Sequence, residues 1–424
     1  MDVESLVRPD GGAFRVGLID PSLCTDIIFG FVNISVDKLI LQNVNQQSEL
    51  AQNELLELKK DRPDLRIILA VGGEEVGDVP FERISTTLSG LSTFAKNVAS
   101  QLRERGFQGL EVAWVTQFER HRNRITAICK ALSEAFIRES EESGQERLLL
   151  SLVSLPYGVT PRPTYDPGKL NDYTDRITVL AFNYGILTSP ELIHNSPLYP
   201  DKLSSSINSQ NTSMQWWTLY GFPRKKLILG LPTFGSTVVI STSVTKNTSD
   251  SYINRNTGKV GLPGPYTKTS GFLSFYEICD IVQTTGWRQT WRPLWEAPVA
   301  FGRRGNKQEW ISFENPQSFR KKAQFVKDKE YGGIMVWSLD MDDFNGRFCH
   351  DSPYPLLRAA ALVLTNNTES HPVTDSSHSV LFATVLSAMW LFLIIDISIV
   401  YFLGYKKLRQ EQIRISKRFS FQIF

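Results

Sequence analysis

The sequence predicts a parallel α/β barrel, because short apolar runs typical of buried strands alternate with longer stretches of helical periodicity. Residues 65–73 and 148–153 are almost continuously apolar, which is typical of strands buried on both faces. Residues 91–104 and 123–139 space their apolar side chains as one face of a helix does. Strand and helix therefore follow one another in the order that builds a parallel sheet, and this order favours a barrel over a β-sandwich.

The amino-acid composition indicates one large globular domain with an additional segment. Of the 424 residues, 42% are hydrophobic and 21% are charged, so the chain is long enough to bury a substantial core. The net charge of +2 gives no electrostatic argument for nucleic acid. Four cysteines and five histidines are widely scattered, and no dinucleotide-binding, phosphate-binding or zinc-ligand spacing occurs. We therefore expect no metal, no cofactor and no nucleic-acid partner.

The strand-like run at residues 105–115 is the most informative stretch of the chain. After Gly109 its side chains alternate, so that Glu111, Ala113 and Val115 project to one face. In a barrel that face points inward, toward the strand ends where ligands bind. The run is therefore where catalytic side chains are expected.

This run resembles the signature strand of glycoside hydrolase family 18, the chitinases and chitinase-like lectins, which reads D-G-x-D-x-D-W-E after a Gly-Phe pair. The degenerate positions are Gln108 at the first Asp, Glu111 at the second, Ala113 at the third and Val115 at the proton-donating Glu. Valine has no proton to give to the leaving oxygen. Ala113 also lacks the carboxylate that orients the substrate's acetamido group as nucleophile. The resemblance therefore implies that both catalytic functions are lost.

Several other segments carry the same resemblance. Residues 180–183 replace the family pattern M-x-Y-D, and residues 226–235 match K-L-x-x-G-x-P-x-Y-G with a Phe in place of its Tyr. The eighth strand, residues 332–340, contains the Trp that in the family is the floor for a sugar ring. The sugar-binding set that the resemblance implies is Trp337, Met335, Phe182, Asn183 and Phe234. Two alternatives stay open, namely Trp337 as an ordinary core residue and Asn183 as the polar cap of a strand end.

The resemblance implies a TIM (β/α)8 barrel over residues 1–364, with residues 236–305 as a small α+β insertion that forms one wall of the cleft. It also implies a disulfide between Cys279 and Cys349, because the matching family positions are bridged. The family's first strand has no counterpart upstream of the segment D-P-S-L-C-T-D, and the sequence shows neither a signal peptide nor the family's partner for Cys24. We therefore expect a barrel that lacks its first strand and a chain that lacks an N-terminal piece.

The C-terminal part predicts a membrane anchor. Residues 365–378 are polar like a stalk, and residues 379–405 are apolar except for Asp396 and long enough to form one transmembrane helix. The basic tail at residues 406–424 is expected in the cytosol, so the barrel is expected to be extracellular or lumenal. Asp396 either contacts a transmembrane partner or lies at a water-accessible depth. The glycosylation candidates in such a compartment are Asn33, Asn211, Asn247 and Asn366.

The sequence favours a catalytically inactive chitinase-like protein that binds chitin or other N-acetylglucosamine-containing glycans at the membrane surface. One alternative is an active chitinase that hydrolyses β-1,4 linkages with a relocated acid, for which Glu111 and Glu119 are the candidates. Alternatively, Glu111 is a structural carboxylate buried in the barrel. A further alternative is an interaction module without sugar binding, because Glu74 stands where the family has a sugar-stacking Trp.

Overall fold

The computed structural model describes residues 8–73, 75–156, 164–184, 192–200, 208–240, 256–284, 286–365 and 381–386. The strands are β1 (Asp26–Ser35), β2 (Ile40–Gln42), β3 (Arg66–Gly72), β4 (Gly109–Ala113), β5 (Leu149–Ser154), β6 (Arg176–Val179), β7 (Leu227–Pro232), β8 (Phe234–Ile240), β9 (Asn256–Val260), β10 (Phe272–Ser274), β11 (Arg288–Arg292), β12 (Ala297–Arg304), β13 (Lys307–Ser312), β14 (Gly333–Trp337) and β15 (Leu381–Leu386). The α-helices are α1 (Gln46–Glu57), α2 (Val79–Ile84), α3 (Leu88–Arg105), α4 (Arg122–Ser143), α5 (Pro167–Tyr173), α6 (Gln210–Leu219), α7 (Phe275–Thr284), α8 (Pro316–Asp328) and α9 (Pro355–Leu364).

Eight parallel strands close into a barrel, which confirms the predicted fold class. Their order is β15-β14-β7-β6-β5-β4-β3-β1, and β15 pairs with β1 to complete the ring. The short β2 pairs antiparallel with the far end of β1 and lies outside the ring. All five residues of β4 and of β14 are buried, as expected for strands covered on both faces. The carboxyl ends of the eight strands therefore meet at one face, which we call the mouth of the barrel.

The helices form where the apolar spacing predicts them. Helix α3 begins after Thr87, whose side chain accepts a hydrogen bond from the Gly90 amide, and it buries the side chains of one face. It ends at Gly106, whose φ of 84° is in the left-handed region that glycine adopts without strain. Helix α4 ends in the same way at Gly144, with φ of 68°. The two helices pack side by side, and α4 also packs against β5.

The eighth place in the ring is filled from the C-terminal part of the chain. Residues 8–25 form short 3₁₀ turns and no strand, so β1 and β14 would each leave an unpaired edge. Strand β15 lies between them, with Asp26 opposite Phe382 and Ile334 opposite Leu381. The described barrel therefore has eight strands: no strand precedes β1 within residues 8–25, as expected, and β15 takes the eighth place. The physical reason is that unpaired backbone groups in a parallel core are costly, and an apolar segment relieves both edges.

The same segment corrects part of the predicted membrane helix. Residues 381–386 belong to the predicted span at 379–405, and they are extended rather than helical. Among the residues that the structure describes, no helix is both long enough and apolar enough to cross a bilayer. Residues 366–380 and 387–424, which include most of the stalk, Asp396 and the basic tail, lie outside the described ranges.

A second, antiparallel sheet forms the predicted insertion. Its order is β10-β8-β13-β12-β11, and β9 pairs with the last residues of β8, Val238 to Ile240. The sheet begins at Phe234 and ends at Ser312, so it extends a few residues beyond the predicted 236–305 on both sides. The structure has the disulfide between Cys279 of α7 and Cys349 after β14 that the resemblance implied. This bridge attaches the insertion to the segment between β14 and α9.

Candidate functional site

Glu111 lies inside the barrel and is held by hydroxyl groups from the two strands that follow. Its Oε2 accepts hydrogen bonds from Ser151 Oγ at 2.8 Å and Thr178 Oγ1 at 2.9 Å, and the residue is 2% exposed. Burial raises the pKa of the Glu111 carboxyl, while the positive charge of Arg176 opposes that shift. A buried carboxyl with two fixed donors fits the structural interpretation of Glu111.

The two positions that the resemblance assigns to the catalytic carboxylates lie in an apolar cluster. Ala113 is fully buried and Val115 is partly buried. Both belong to an apolar group that fills the barrel interior from the first residue of β5 up to the mouth, which we call the mouth cluster. Its other members are Ile28, Phe31, Ile68, Ala70, Leu149, Val153, Leu180, Phe182, Ile228, Phe234, Phe272, Met335, Trp337 and Met341. No side chain of the cluster carries a carboxyl, imidazole or hydroxyl group that could exchange a proton with a glycosidic oxygen.

Four of the five predicted sugar-binding side chains come together in the mouth cluster. The rings of Trp337 and Phe182 are 6.2 Å apart between centroids, and those of Phe182 and Phe234 are 5.7 Å apart. Met335 is fully buried, and Trp337 is only 3% exposed. This low exposure keeps the alternative of Trp337 as a core residue open.

The fifth predicted residue, Asn183, lies beyond the end of β6 with a φ of 61°. Asparagine tolerates this left-handed conformation better than most residues. Its backbone N–H donates to Asn195 Oδ1 at 3.1 Å, which ties the strand end to the segment after it. The position therefore has a structural reason for Asn, and its half-buried side chain lies beside Phe182 in the chain.

Sequence reasoning missed two aromatic residues of the mouth cluster. The Phe31 ring lies 6.2 Å from Trp337, and Phe272 stacks on Phe234 at 4.6 Å. Phe31 was missed because strict alternation along β1, counted from the inward-facing Ile28, places its side chain on the outer face. The pairing of β1 with β3 shifts register between Gly30 and Val32, and this shift turns Phe31 inward. Phe272 escaped because it comes from the insertion, whose short strand β10 carries no pattern that assigns it to the barrel.

The remaining candidates lie away from the mouth cluster. Gln108 has a structural role at the start of β4, where its Oε1 accepts from the Ile67 amide at 2.7 Å. Glu119 is partly exposed in the turn that precedes α4 and pairs with Arg122 at 3.3 Å. Within the described ranges, no three His, Cys, Asp or Glu side chains converge as metal ligands would.

The glycosylation candidates are described only in part. Asn33 is exposed on β1, and Asn211 is half-buried in the first turn of α6. Asn247 and Asn366 lie outside the described residues, as does Glu74. Cys24 is a buried free thiol, and so is Cys129.

The family pattern of the Glycosyl hydrolases family 18 matches residues 7–342, which is most of the barrel and the whole insertion. The chain belongs to glycoside hydrolase family 18. Its sequence is 35% identical to mouse (Mus musculus) chitotriosidase-1 over 348 residues, which are 80% of this chain and 72% of that protein. It is 30% identical to human (Homo sapiens) chitinase-3-like protein 2 over 357 residues, which are 83% of this chain and 88% of that one.

Solved structures of family 18 members agree with this assignment. Human YKL-39, described as a pseudo-chitinase with retained chitooligosaccharide binding, superposes with a TM-score of 0.77 at 29% identity, covering 85% of this chain and 96% of that one. A group II chitinase catalytic domain of Ostrinia furnacalis, solved with a chitooligosaccharide, has a TM-score of 0.77 at 26% identity, with 86% and 94% covered. Relatives with this fold thus include one described as a chitinase and one described as a pseudo-chitinase.

Proposed function

We propose that this protein binds chitin or other N-acetylglucosamine oligosaccharides at the mouth of its barrel and does not cleave them. The observation that carries the proposal is the apolar packing at Ala113 and Val115, where the family's catalytic carboxylates stand. Removing one general acid typically lowers a glycosidase rate by about a hundred- to ten-thousand-fold. Here the group that would orient the acetamido nucleophile is absent as well.

The remaining carboxyl near these positions does not replace the missing acid. Glu111 has a raised pKa, which an acid catalyst requires, but both of its hydrogen bonds hold it against the walls of the barrel. Phe182 and Phe234 also supply no hydroxyl or charge to stabilise a cationic intermediate.

Sugar binding is supported by the aromatic surface that remains. The C–H faces of N-acetylglucosamine pack on indole and phenyl rings for the same reason that other apolar groups do. Trp337, Phe182 and Phe31 form a connected group of rings at the strand ends. Human YKL-39, a relative with the same fold, is described as binding chitooligosaccharides while being a pseudo-chitinase.

We also propose that the protein is a single-pass membrane protein with an extracellular or lumenal barrel. About 19 apolar residues, 387–405, follow β15, and a helix of that length spans roughly 28 Å. The basic residues after them favour a cytosolic tail, and Asp396 is the residue within the span that would contact a partner. The Cys279–Cys349 disulfide supports an oxidising compartment. Glycosidase treatment of protein from cells tests the topology, since a glycan on the exposed Asn33 requires an outward barrel.

One experiment on the purified full-length protein in detergent tests the function. Chitotetraose and chitohexaose are titrated calorimetrically, and the same mixtures are analysed for shorter products after prolonged incubation. We expect binding without products. Hydrolysis that is abolished by Glu111→Gln or Glu119→Gln would establish the active chitinase instead. Absence of binding at millimolar oligosaccharide would favour the interaction module, for which the 3% exposure of Trp337 is the supporting observation.

A further inference from the structure

The turn between β4 and α4 presents an aromatic side chain to solvent at the mouth. Strand β4 ends at Ala113 and α4 begins at Arg122, so the turn lies at the strand ends where ligands of parallel barrels bind. Phe118 in this turn is 49% exposed. The guanidinium carbon of Arg120 lies 4.2 Å from the centroid of its ring. The Nε of Arg120 also donates to His121 Nε2 at 3.1 Å and lies 3.7 Å from Glu82 Oε1. An exposed phenyl ring with a guanidinium held beside it is thus placed on the rim, outside the mouth cluster.

A buried histidine holds this turn in place. His121 is fully buried, with Nδ1 2.8 Å from Thr116 Oγ1 and Nε2 2.7 Å from Glu82 Oε1. Its ring lies 4.7 Å from that of Trp114 and meets the Phe118 ring edge-on at 5.8 Å. The histidine therefore connects both ends of the turn to helix α2.

A second set of contacts fixes the start of the turn. Trp114 Nε1 donates to Asp78 Oδ1 at 2.7 Å, and the indole stacks on Phe81 with centroids 5.0 Å apart and planes 7° apart. The turn is thus braced by buried contacts at both ends, although it contains none of the degenerate catalytic positions except Val115. These contacts hold Phe118 in one position on the surface, so that less conformational entropy of this side chain is lost when a ligand binds.

We propose that Phe118 and Arg120 form a second sugar-binding platform on the rim, for an N-acetylglucosamine residue outside the mouth cluster. The inference rests on the proposed function and extends it to oligosaccharides long enough to reach the rim. The phenyl ring packs against the C–H face of the sugar, and the guanidinium donates hydrogen bonds to its hydroxyl or acetamide oxygens. The site selects chain length, because short oligosaccharides are held by the mouth cluster alone.

The test compares oligosaccharides of different length on full-length protein. Chitobiose, chitotetraose and chitohexaose are titrated into wild type, Phe118→Ala and Arg120→Ala. We expect each substitution to weaken chitohexaose binding by about three- to ten-fold and to leave chitobiose binding unchanged. Phe118→Tyr keeps the ring and should bind like wild type.

Tyr220→Ala is the matched control. Tyr220 is 60% exposed and directly follows α6, and since the helices run antiparallel to the strands, it lies at the opposite end of the barrel from the mouth. Its removal should leave every affinity unchanged. Equal thermal unfolding midpoints show that the variants are folded.

The outcomes separate this inference from the proposed function. Wild type that binds chitohexaose, with no loss in Phe118→Ala or Arg120→Ala, overturns the rim platform and leaves the function standing. An equal loss for all three lengths also overturns it, because the turn then acts on the mouth cluster. Wild type that binds none of the oligosaccharides overturns both proposals.

Discussion

The strongest prediction concerns the replacement of Trp337 by phenylalanine. Trp337 packs between Phe31 and Phe182, each with a centroid distance of 6.2 Å, and is 3% exposed. Complete truncation to alanine would leave a large cavity and cost about 3–5 kcal/mol of stability, so loss of binding in that variant would be ambiguous. Phenylalanine removes one ring of the indole and should cost roughly 1–3 kcal/mol, which leaves a folded protein.

The binding effect should be modest because little of the indole is accessible. One aromatic packing contact contributes about 0.5–1.5 kcal/mol beyond area burial. Trp337→Phe should therefore weaken chitotetraose binding by about two- to twelve-fold. Calorimetric titration measures the affinity, and urea unfolding measures the stability of the same preparation.

A buried tryptophan outside the mouth gives the control. Trp217 is 1% exposed and packs between Tyr165 and Phe222 in the core outside the barrel. Trp217→Phe should lose a similar free energy of unfolding without a change in affinity. The reasoning fails if Trp337→Phe is folded and binds like wild type, or if both variants lose affinity equally.

Three further predictions concern titration, strand pairing and the disulfide. The pKa of Glu111 is raised on folding, so the unfolded state releases this proton first and wild type loses stability as the pH rises above about 4.5. Urea unfolding should therefore show that Glu111→Gln gains stability relative to wild type as the pH rises through that range. A stability difference that does not change with pH would contradict the raised pKa. Ile28 and Thr384 are register partners, so a cysteine at each position should form a disulfide that shifts electrophoretic mobility, and failure to cross-link under oxidation would argue against β15 in the ring. Non-reducing peptide mapping should recover Cys279 joined to Cys349, with a loss of about 4 kcal/mol of stability on reduction, whereas free thiols in protein from cells would contradict the lumenal barrel.

Much of the barrel could be predicted because its signals are local. The apolar runs that became β3 and β5, and the helical spacing that became α3 and α4, each depend on residues near one another in the chain. Glu111 and Ala113 were assigned to one face correctly because β4 is a regular strand with a side-chain period of two.

The rest depends on contacts that a linear pattern does not carry. The apolar segment at 381–386 fits a membrane helix and a buried strand equally well, and only the unpaired edges of β1 and β14 decide between them. Phe31 faces inward because of a register shift set by the neighbouring strand. The contacts by which His121 holds Phe118 in place could not be predicted for a related reason, because the hydrogen-bond partner Glu82 of His121 lies on a different helix, α2.

The apolar packing around Ala113 and Val115 would make the proposed loss of catalysis hard to reverse in evolution. An aspartate at the first position and a glutamate at the second would place two new carboxyls in the apolar mouth cluster. Their burial would raise both pKa values and destabilise the fold before any hydrolysis could be selected. Each apolar residue at the mouth would thus raise the number of simultaneous substitutions needed to restore catalysis. A lineage with this mouth is expected to diversify in what it binds.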